Sequence, residues 1–302
     1  MAITDGLIRT NLYVSASSPV NLTQAVFYNQ DCIVYDLEDS VSVSEKDTAR
    51  FLIYNTVRFH RPKDKYVIIR VNGIYSEFID DDLEAAVRAR PDALRIPKVE
   101  SAAEVQAISK KMAQIEQRAG IAEGTIRLWC NIESHIGVLF AREIAVADPR
   151  VEAMAMGAED FTAGVGAQRT KAGLEIFYAR NAILMACREA GIAAVDAVFS
   201  DINDAQGLRE DAMLARNLGF DGKTVIHPRQ IDTVNGTFAP SPKEVRYAQR
   251  VLETLREGRR LQKGVITLDG SMLDKPMELR AVATLKKAMA AGMPVEEGYV
   301  HD

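Results

Sequence analysis

The chain of 302 residues is long enough for two ordinary domains or one large α/β barrel, and its 47% hydrophobic and 26% charged residues exclude both disorder and a fibrous repeat. The 37 Lys and Arg against 42 Asp and Glu give a net charge of −5 with no basic stretch to neutralise a run of phosphates, which argues against nucleic-acid binding. No apolar run approaches the roughly 20 residues of a membrane helix, and residues 1–11 lack an apolar core of signal-peptide length, so no membrane partner and a cytoplasmic location are expected.

In chain order, short β-branched runs alternate with stretches of helical period. Strands are expected at residues 12–16, 32–37, 66–71, 93–97, 126–132, 153–157, 194–200 and 224–227. Helices are expected at 21–28, 45–58, 102–119, 138–147, 176–190, 206–218 and, after the eighth strand, 242–257. Ser101 with Glu104 three residues on has the spacing of a capping box, and Gly120, Gly191 and Gly219 follow helical runs where a left-handed cap is needed. Eight βα repeats within residues 1–258 fit a (β/α)₈ TIM barrel better than a doubly wound sheet. Residues 259–302 remain as an extension: a Gly-containing strand or loop at 263–274, then a helical stretch at 277–291. It is too short to hold a core of its own and is expected to pack on a barrel, its own or a neighbour's. Cys32, Cys130 and Cys187 form an odd set without C-x-x-C spacing, each in an apolar segment, as reduced core cysteines do.

In such a barrel the chemistry sits at the C-terminal ends of the strands. Those ends are rich in charge: Glu38-Asp39, Arg70 with Asn72, Lys98, Glu133, and Glu159-Asp160. Any single one also reads as a helix N-cap or a solvated loop charge. Glu133 and Asp160, on adjacent strands, read as a pair: two carboxylates at one mouth repel unless a divalent cation lies between them, and an oxygen site completed by water and substrate suits Mg²⁺. Zinc is not expected, because apart from His135 no His or Cys stands beside them. Arg70 brings a permanent cation suited to a two-pronged grip on a substrate carboxylate, or to an ion pair with Glu38 or Asp39. Lys98 is either a rim charge or a substrate contact. Gly157, Gly164 and Gly166 suggest close backbone approach by a ligand. No dinucleotide fingerprint, P-loop or nucleophile elbow is present. His60 and His301 lie in polar segments, and His227 before Pro228 is expected to make a structural hydrogen bond.

Several segments together resemble the citrate lyase β-subunit family, with its citryl-CoA, malyl-CoA and citramalyl-CoA lyases, over nearly the whole chain. They are Tyr35-Asp36-Leu37-Glu38-Asp39-Ser40-Val41 followed by Glu45-Lys46-Asp47-Thr48-Ala49-Arg50; Ile69-Arg70-Val71-Asn72; Arg95-Ile96-Pro97-Lys98; Ile132-Glu133-Ser134; and Met156-Gly157-Ala158-Glu159-Asp160-Phe161. Phe220-Asp221-Gly222-Lys223, Ile226-His227-Pro228-Arg229-Gln230-Ile231 and Gly270-Ser271-Met272-Leu273-Asp274 continue the likeness.

The resemblance implies a Mg²⁺-dependent carbon–carbon lyase that cleaves a 3-hydroxyacyl-CoA, such as citryl-CoA, to acetyl-CoA and a 2-oxoacid such as oxaloacetate. It implies Glu133 and Asp160 as metal ligands and Arg70 as the group that holds the acid, with Glu38, Asp39, Lys98 and Gly157 around the substrate. It further implies that Asp274 is the acid–base group, carried by the extension as a lid over a neighbouring subunit's barrel in a homo-oligomer, trimer or hexamer. Malyl-CoA or citramalyl-CoA lyase or thioesterase activity, or work on a carrier-bound acyl group beside acyl-carrier and transferase subunits, is the alternative. Related aldolases that cleave free hydroxy-oxo-diacids carry Glu-His where this chain has Glu38-Asp39, which argues against them. One departure concerns strand one: the relatives' Pro-Gly is absent from Tyr13-Val14-Ser15-Ala16-Ser17-Ser18-Pro19, which bears on the identity of the acyl group.

Overall fold

The computed structural model describes residues 7–262 and 264–295. Eight parallel strands form a closed barrel in sequence order: β1 (Thr10–Ser15), β2 (Cys32–Asp36), β3 (Tyr66–Arg70), β4 (Ala93–Ile96), β5 (Arg127–Ile132), β6 (Val151–Met156), β7 (Ala193–Asp196) and β8 (Gly222–Val225). β8 closes on β1 through Thr10↔Lys223, Asn11↔Thr224 and Leu12↔Val225. The expected (β/α)₈ class is the observed one.

The period of two along each strand divides the side chains between helices and barrel interior. Ile33, Tyr35 and Leu37 join Val67, Ile69 and Val71 in the large apolar cluster shared with the helices. Between them, Asp36 and Arg70 are register partners on β2 and β3 and bond to each other. Both faces are buried, so the strands read as near-continuous apolar runs broken by a few polar residues, and those residues mark the inward face.

The helices are α1 (Pro19–Gln24), α2 (Lys46–His60), α3 (Ile79–Ala89), α4 (Ala102–Ala119), α5 (His135–Leu139), α6 (Ala141–Ala145), α7 (Ala158–Gly164), α8 (Phe177–Ala190), α9 (Ala205–Leu218) and α10 (Ile231–Phe238). Ser101 and Glu104 form the expected capping box on α4, and Gly120, Gly191 and Gly219 take the left-handed conformation after α4, α8 and α9. α3 was not among the expected helices; its first turn holds Asp80, Asp81 and Asp82, which masks an amphipathic run of Ile79, Leu83, Ala86 and Val87.

The boundary differs from the expected one. One compact unit runs Ile8–Phe238 and a second begins at Ala239, so the break falls after Phe238 rather than near residue 258. The eighth barrel helix is the short α10. The next helix, α11 (Pro242–Arg260), packs with α12 (Lys275–Ala290): Val245, Ala248, Val251 and Leu255 meet Ala281, Leu285, Ala288 and Leu273. The extension therefore has a small core of its own, because α11 supplies half of it. Between the helices β9 (Thr267–Leu268) and β10 (Ser271–Met272) form a hairpin. All three cysteines are free and buried, as expected.

Candidate active site

At the C-terminal ends of β1 to β6 the polar residues form a connected set. Arg70 ends β3 with its guanidinium over the Tyr13 ring of β1, 4.4 Å from the centroid. Its Nε and Nη2 donate to the two carboxylate oxygens of Asp36 at 2.6 and 2.8 Å, and Nη1 lies 2.7 Å from Glu38 Oε2. Burial works against the Arg70 charge, but Tyr13, Asp36 and Glu38 outweigh it and hold the group firmly protonated. Burial likewise opposes ionisation of Asp36, yet the bonds from Arg70 keep its pKa below the ordinary value. The expected alternative of an ion pair for Arg70 is thus realised, though with Asp36 and Glu38 rather than Asp39. A guanidinium gripped from behind is oriented before any ligand arrives.

Glu38 behaves differently. Burial, only partly offset by Arg70, and the nearby Glu133 and Asp39 carboxylates push it up to about 7. Its Oε1 accepts from Lys98 Nζ at 3.2 Å, and that ammonium also stands 3.8 Å from Asp160. Lys98 has a positive φ of 54°, an uncommon conformation for a residue with a side chain. A chain of contacts, Arg70–Glu38–Lys98–Asp160, thus crosses from the end of β3 to the start of α7.

Glu133 follows β5 and is buried, at 5% exposure. Its Oε1 accepts from Asn131 Nδ2 at 2.7 Å, but Oε2 is buried without a hydrogen-bond partner. Burial above all, with Asp160 adding to it and Arg70 opposing it, raises its pKa. A bare carboxylate oxygen in a dry site is costly unless a cation completes it. An oxygen donor of this kind, with a second carboxylate near by and no His or Cys in the set, fits Mg²⁺, which takes few protein ligands and keeps water and substrate for the rest. Among the described residues there is no group of three or more His, Cys, Asp or Glu placed to hold a metal ion. Gly157 serves this arrangement directly: a Cβ there would lie 2.3 Å from Glu133 Cγ. The missing side chain makes room for Glu133, a different reason from the ligand approach expected of it, and Gly164 has open space around its Cα.

Beside Arg70 opens a cavity of about 720 Å³ with Tyr13, Ser15, Asp36, Asp39, Arg70 and His227 among its walls. Glu133, Lys98 and Asp160 do not line it; Glu38 links them to it through ion pairs with both Arg70 and Lys98. The strand-one segment lacking Pro-Gly lies here, with Ser15 Oγ donating to Ser40 O at 2.9 Å and Ser18 capping α1. His227 Nδ1 accepts from the Arg229 N–H at 3.1 Å, the structural bond expected of it.

The site residues read from the sequence thus divide. Arg70, Glu38, Lys98, Asp160, Glu133 and Gly157 come together, and Asp39 is exposed on the cavity wall. Glu159 faces solvent near Arg169. Asp274 belongs to the second unit, where its carboxylate caps α12 by accepting from Met277 N–H at 2.9 Å. Sequence reasoning gave no role to Tyr13, Asp36 or Asn131. The last two stand two residues before Glu38 and Glu133, so the strand period places each pair on one face; that signal was available.

Residues 9–228 match the family model described as HpcH/HpaI aldolase/citrate lyase. The chain is 40% identical to citrate lyase subunit beta of Leuconostoc mesenteroides subsp. cremoris over 292 residues, covering 97% of each. It is 35% identical to the (3S)-malyl-CoA thioesterase of Cereibacter sphaeroides strain ATCC 17023, covering 93% of this chain and 95% of that one. Among solved structures it resembles the protein CitE of Mycobacterium tuberculosis in complex with magnesium, acetoacetate and coenzyme A. That likeness has a TM-score of 0.75 and 30% identity, with 93% of this chain and 98% of the other covered.

Proposed function

The chain belongs to the HpcH/HpaI aldolase/citrate lyase family, and on that premise we propose that it is a Mg²⁺-dependent lyase that cleaves a 3-hydroxyacyl-CoA such as citryl-CoA to acetyl-CoA and a 2-oxoacid such as oxaloacetate. The observation that carries this reading is the buried, unpartnered Oε2 of Glu133 in a site where Arg70 is already held in place by Asp36 and Glu38. Glu133 and Asp160 would hold the metal, which when bound would supply Lewis-acid stabilisation of negative charge on substrate oxygen.

The protein's own groups supply the rest. Arg70 meets the carboxylate of the acid portion and stabilises the alkoxide left when the hydroxyl gives its proton to water; collapse of that alkoxide to the oxoacid carbonyl breaks the C–C bond. Lys98 and Glu38 set the polar rim between Arg70 and Asp160, and Asp39 faces the cavity that receives the thioester. The electron pair of the broken bond passes to the acetyl-CoA fragment as its enolate. Asp274 gives that carbon its proton, a role that requires the carboxyl to be protonated in a closed site. The extension is the lid that brings Asp274 to a neighbouring subunit in a homo-oligomer, a trimer or hexamer. Buried, reduced cysteines suit a cytoplasmic location.

The malyl-CoA thioesterase relative favours one second reading, hydrolysis of a related thioester at the same site. Incubation of the purified chain and Mg²⁺ with citryl-, malyl- and citramalyl-CoA distinguishes them: acetyl-CoA plus oxoacid marks a lyase, free CoA plus hydroxyacid a thioesterase. Turnover of none of them by the isolated chain, with turnover restored by acyl-carrier and transferase subunits, places it in a complex. Asp274→Asn is expected to abolish turnover while oxoacid and Mg²⁺ binding persist, and because Asn caps a helix as well as Asp does, stability should hold. Full activity in that variant removes Asp274 from the mechanism.

A further inference from the structure

Lys46, the first residue of α2, lies in the segment 45–50 that resembles the lyases and has no part in the mechanism above. Its side chain is buried at 5% exposure. Its ammonium donates to Leu37 O at 2.6 Å, Glu38 O at 2.8 Å and Asn72 Oδ1 at 2.9 Å, which uses all three protons. Asn72 in turn donates through Nδ2 to Leu37 O at 3.0 Å and to Asp82 at 2.6 Å, and Asp82 accepts from Arg50 at 2.9 Å. On its other side Leu37 gives its N–H to Arg70 O at 2.9 Å.

The two stretches tied together are 36–38 and 70–72. They carry Asp36 and Glu38, the carboxylates that grip the Arg70 guanidinium, and Arg70 itself. A buried ammonium is costly where an apolar side chain would fill the space. Here its protons go to the backbone beside Glu38, and the Phe78 ring lies 5.6 Å from it. We infer that Lys46 is a positioning residue for the substrate-holding arginine: it clamps the ends of β2 and β3 so that Glu38 and Asp36 present the Arg70 guanidinium in one orientation toward the oxoacid. This rests on the lyase reading, through Arg70 as the acid-binding group.

The test separates orientation from stability by measuring two ligands. Oxaloacetate in the presence of MgCl₂, and coenzyme A separately, are titrated calorimetrically into the full chain, with Arg70→Met as the reference for lost acid binding. Lys46→Met is compared with Ile53→Ala, a variant that thins the buried face of the same helix without touching the clamp. At a temperature where circular dichroism shows both folded, Lys46→Met is expected to weaken oxaloacetate binding about tenfold or more, since misplacement on the order of an ångström is felt strongly at such sites. Coenzyme A affinity should stay within about twofold, and Ile53→Ala should melt earlier with both affinities kept. If Lys46→Met does not fold, Asn72→Ser, which removes one of its acceptors, decides the matter, with a loss of about threefold or more expected for oxaloacetate alone. Oxaloacetate affinity unchanged in the folded variant, or equal loss of both ligands, overturns the clamp while leaving the lyase reading standing. A wild-type chain that binds no oxaloacetate, or binds it equally after Arg70→Met, overturns the lyase reading and this inference with it.

Discussion

Arg180, Lys223, Asp196 and Asp211 form a buried ion cluster around β7 and β8, while Arg70, Asp36, Glu38 and Glu133 form another where β2, β3 and β5 end. In the first, Arg180 makes a two-pronged bond with Asp196 at 2.8 and 2.9 Å and a third with Asp211 at 2.6 Å; Lys223 bonds the same two carboxylates at 2.7 and 2.6 Å. Two cations meet two anions, and every carboxylate oxygen has a partner. Burial opposes the Asp211 charge, yet Lys223 and Arg180 hold it down to about 2. In the second cluster Glu38 is pushed up to about 7 and Glu133 keeps a bare oxygen. Burial is common to both, so burial does not distinguish structure from function here. The difference lies in the carboxylates: in the first set every carboxylate oxygen is bonded and only Arg180 Nη1 lacks a partner, whereas in the second Glu133 Oε2 is buried without one.

Breaking the first cluster should cost stability and little else. Lys223→Met leaves Asp196 and Asp211 facing one cation and is expected to cost about 3–5 kcal/mol in denaturant unfolding. Turnover per folded molecule should remain near that of the wild type. A large loss of turnover in a fully folded sample would show that this cluster is not merely structural.

The two clusters should also respond to pH with opposite sign, in metal-free protein kept with a chelator. Folded Glu38 keeps its proton up to about pH 7, against an ordinary value of 4.5, so between those values the folded state holds the extra proton. Stability therefore falls as pH rises through that window, by on the order of 3 kcal/mol. Asp211 is lowered from 3.8 to about 2, so its contribution is present above 3.8 and is lost as pH falls toward 2. Melts of wild type and Glu38→Gln check the first: the variant's advantage should grow from pH 4.5 to 7, and a constant difference would show that Glu38 is not the group responsible.

A smaller effect is expected from filling the space that the second cluster needs. Gly157→Ala places a methyl group 2.3 Å from Glu133 Cγ and forces that carboxylate aside. Turnover should fall about 100-fold, the scale of an ångström's misplacement at a reacting centre, with Mg²⁺ affinity weakened in parallel. Wild-type turnover and Mg²⁺ affinity in the variant would mean that the position of Glu133 is immaterial.

Much of this was legible from the residues in order. Strand ends with Arg70, Glu133 and Asp160 were readable because side-chain period and barrel polarity are local rules. The Ser101–Glu104 box and the glycine caps were readable for the same reason, since a cap is satisfied within one turn. The place of Asp36 beside Arg70 was half legible: the strand period put it on the face of Glu38, but only strand pairing made it the register partner of Arg70.

Other features had no local signal. The boundary at Phe238 depends on α11 finding α12 across the hairpin, a choice made by packing between distant segments. Asp274 carries a helix cap visible in its spacing to Met277, whereas an acid–base role belongs to chemistry that its own neighbours do not display. Lys46 reads as one more surface lysine at a helix start until its ammonium is seen beneath Glu38 and Asn72. By itself, then, the sequence determined eight βα repeats and the charged residues at their ends, because periodicity, caps and turns depend on neighbours a few positions apart. Only the tertiary structure decided which charges are closed off and which oxygen stays bare, because that depends on groups brought together from strands tens of residues apart.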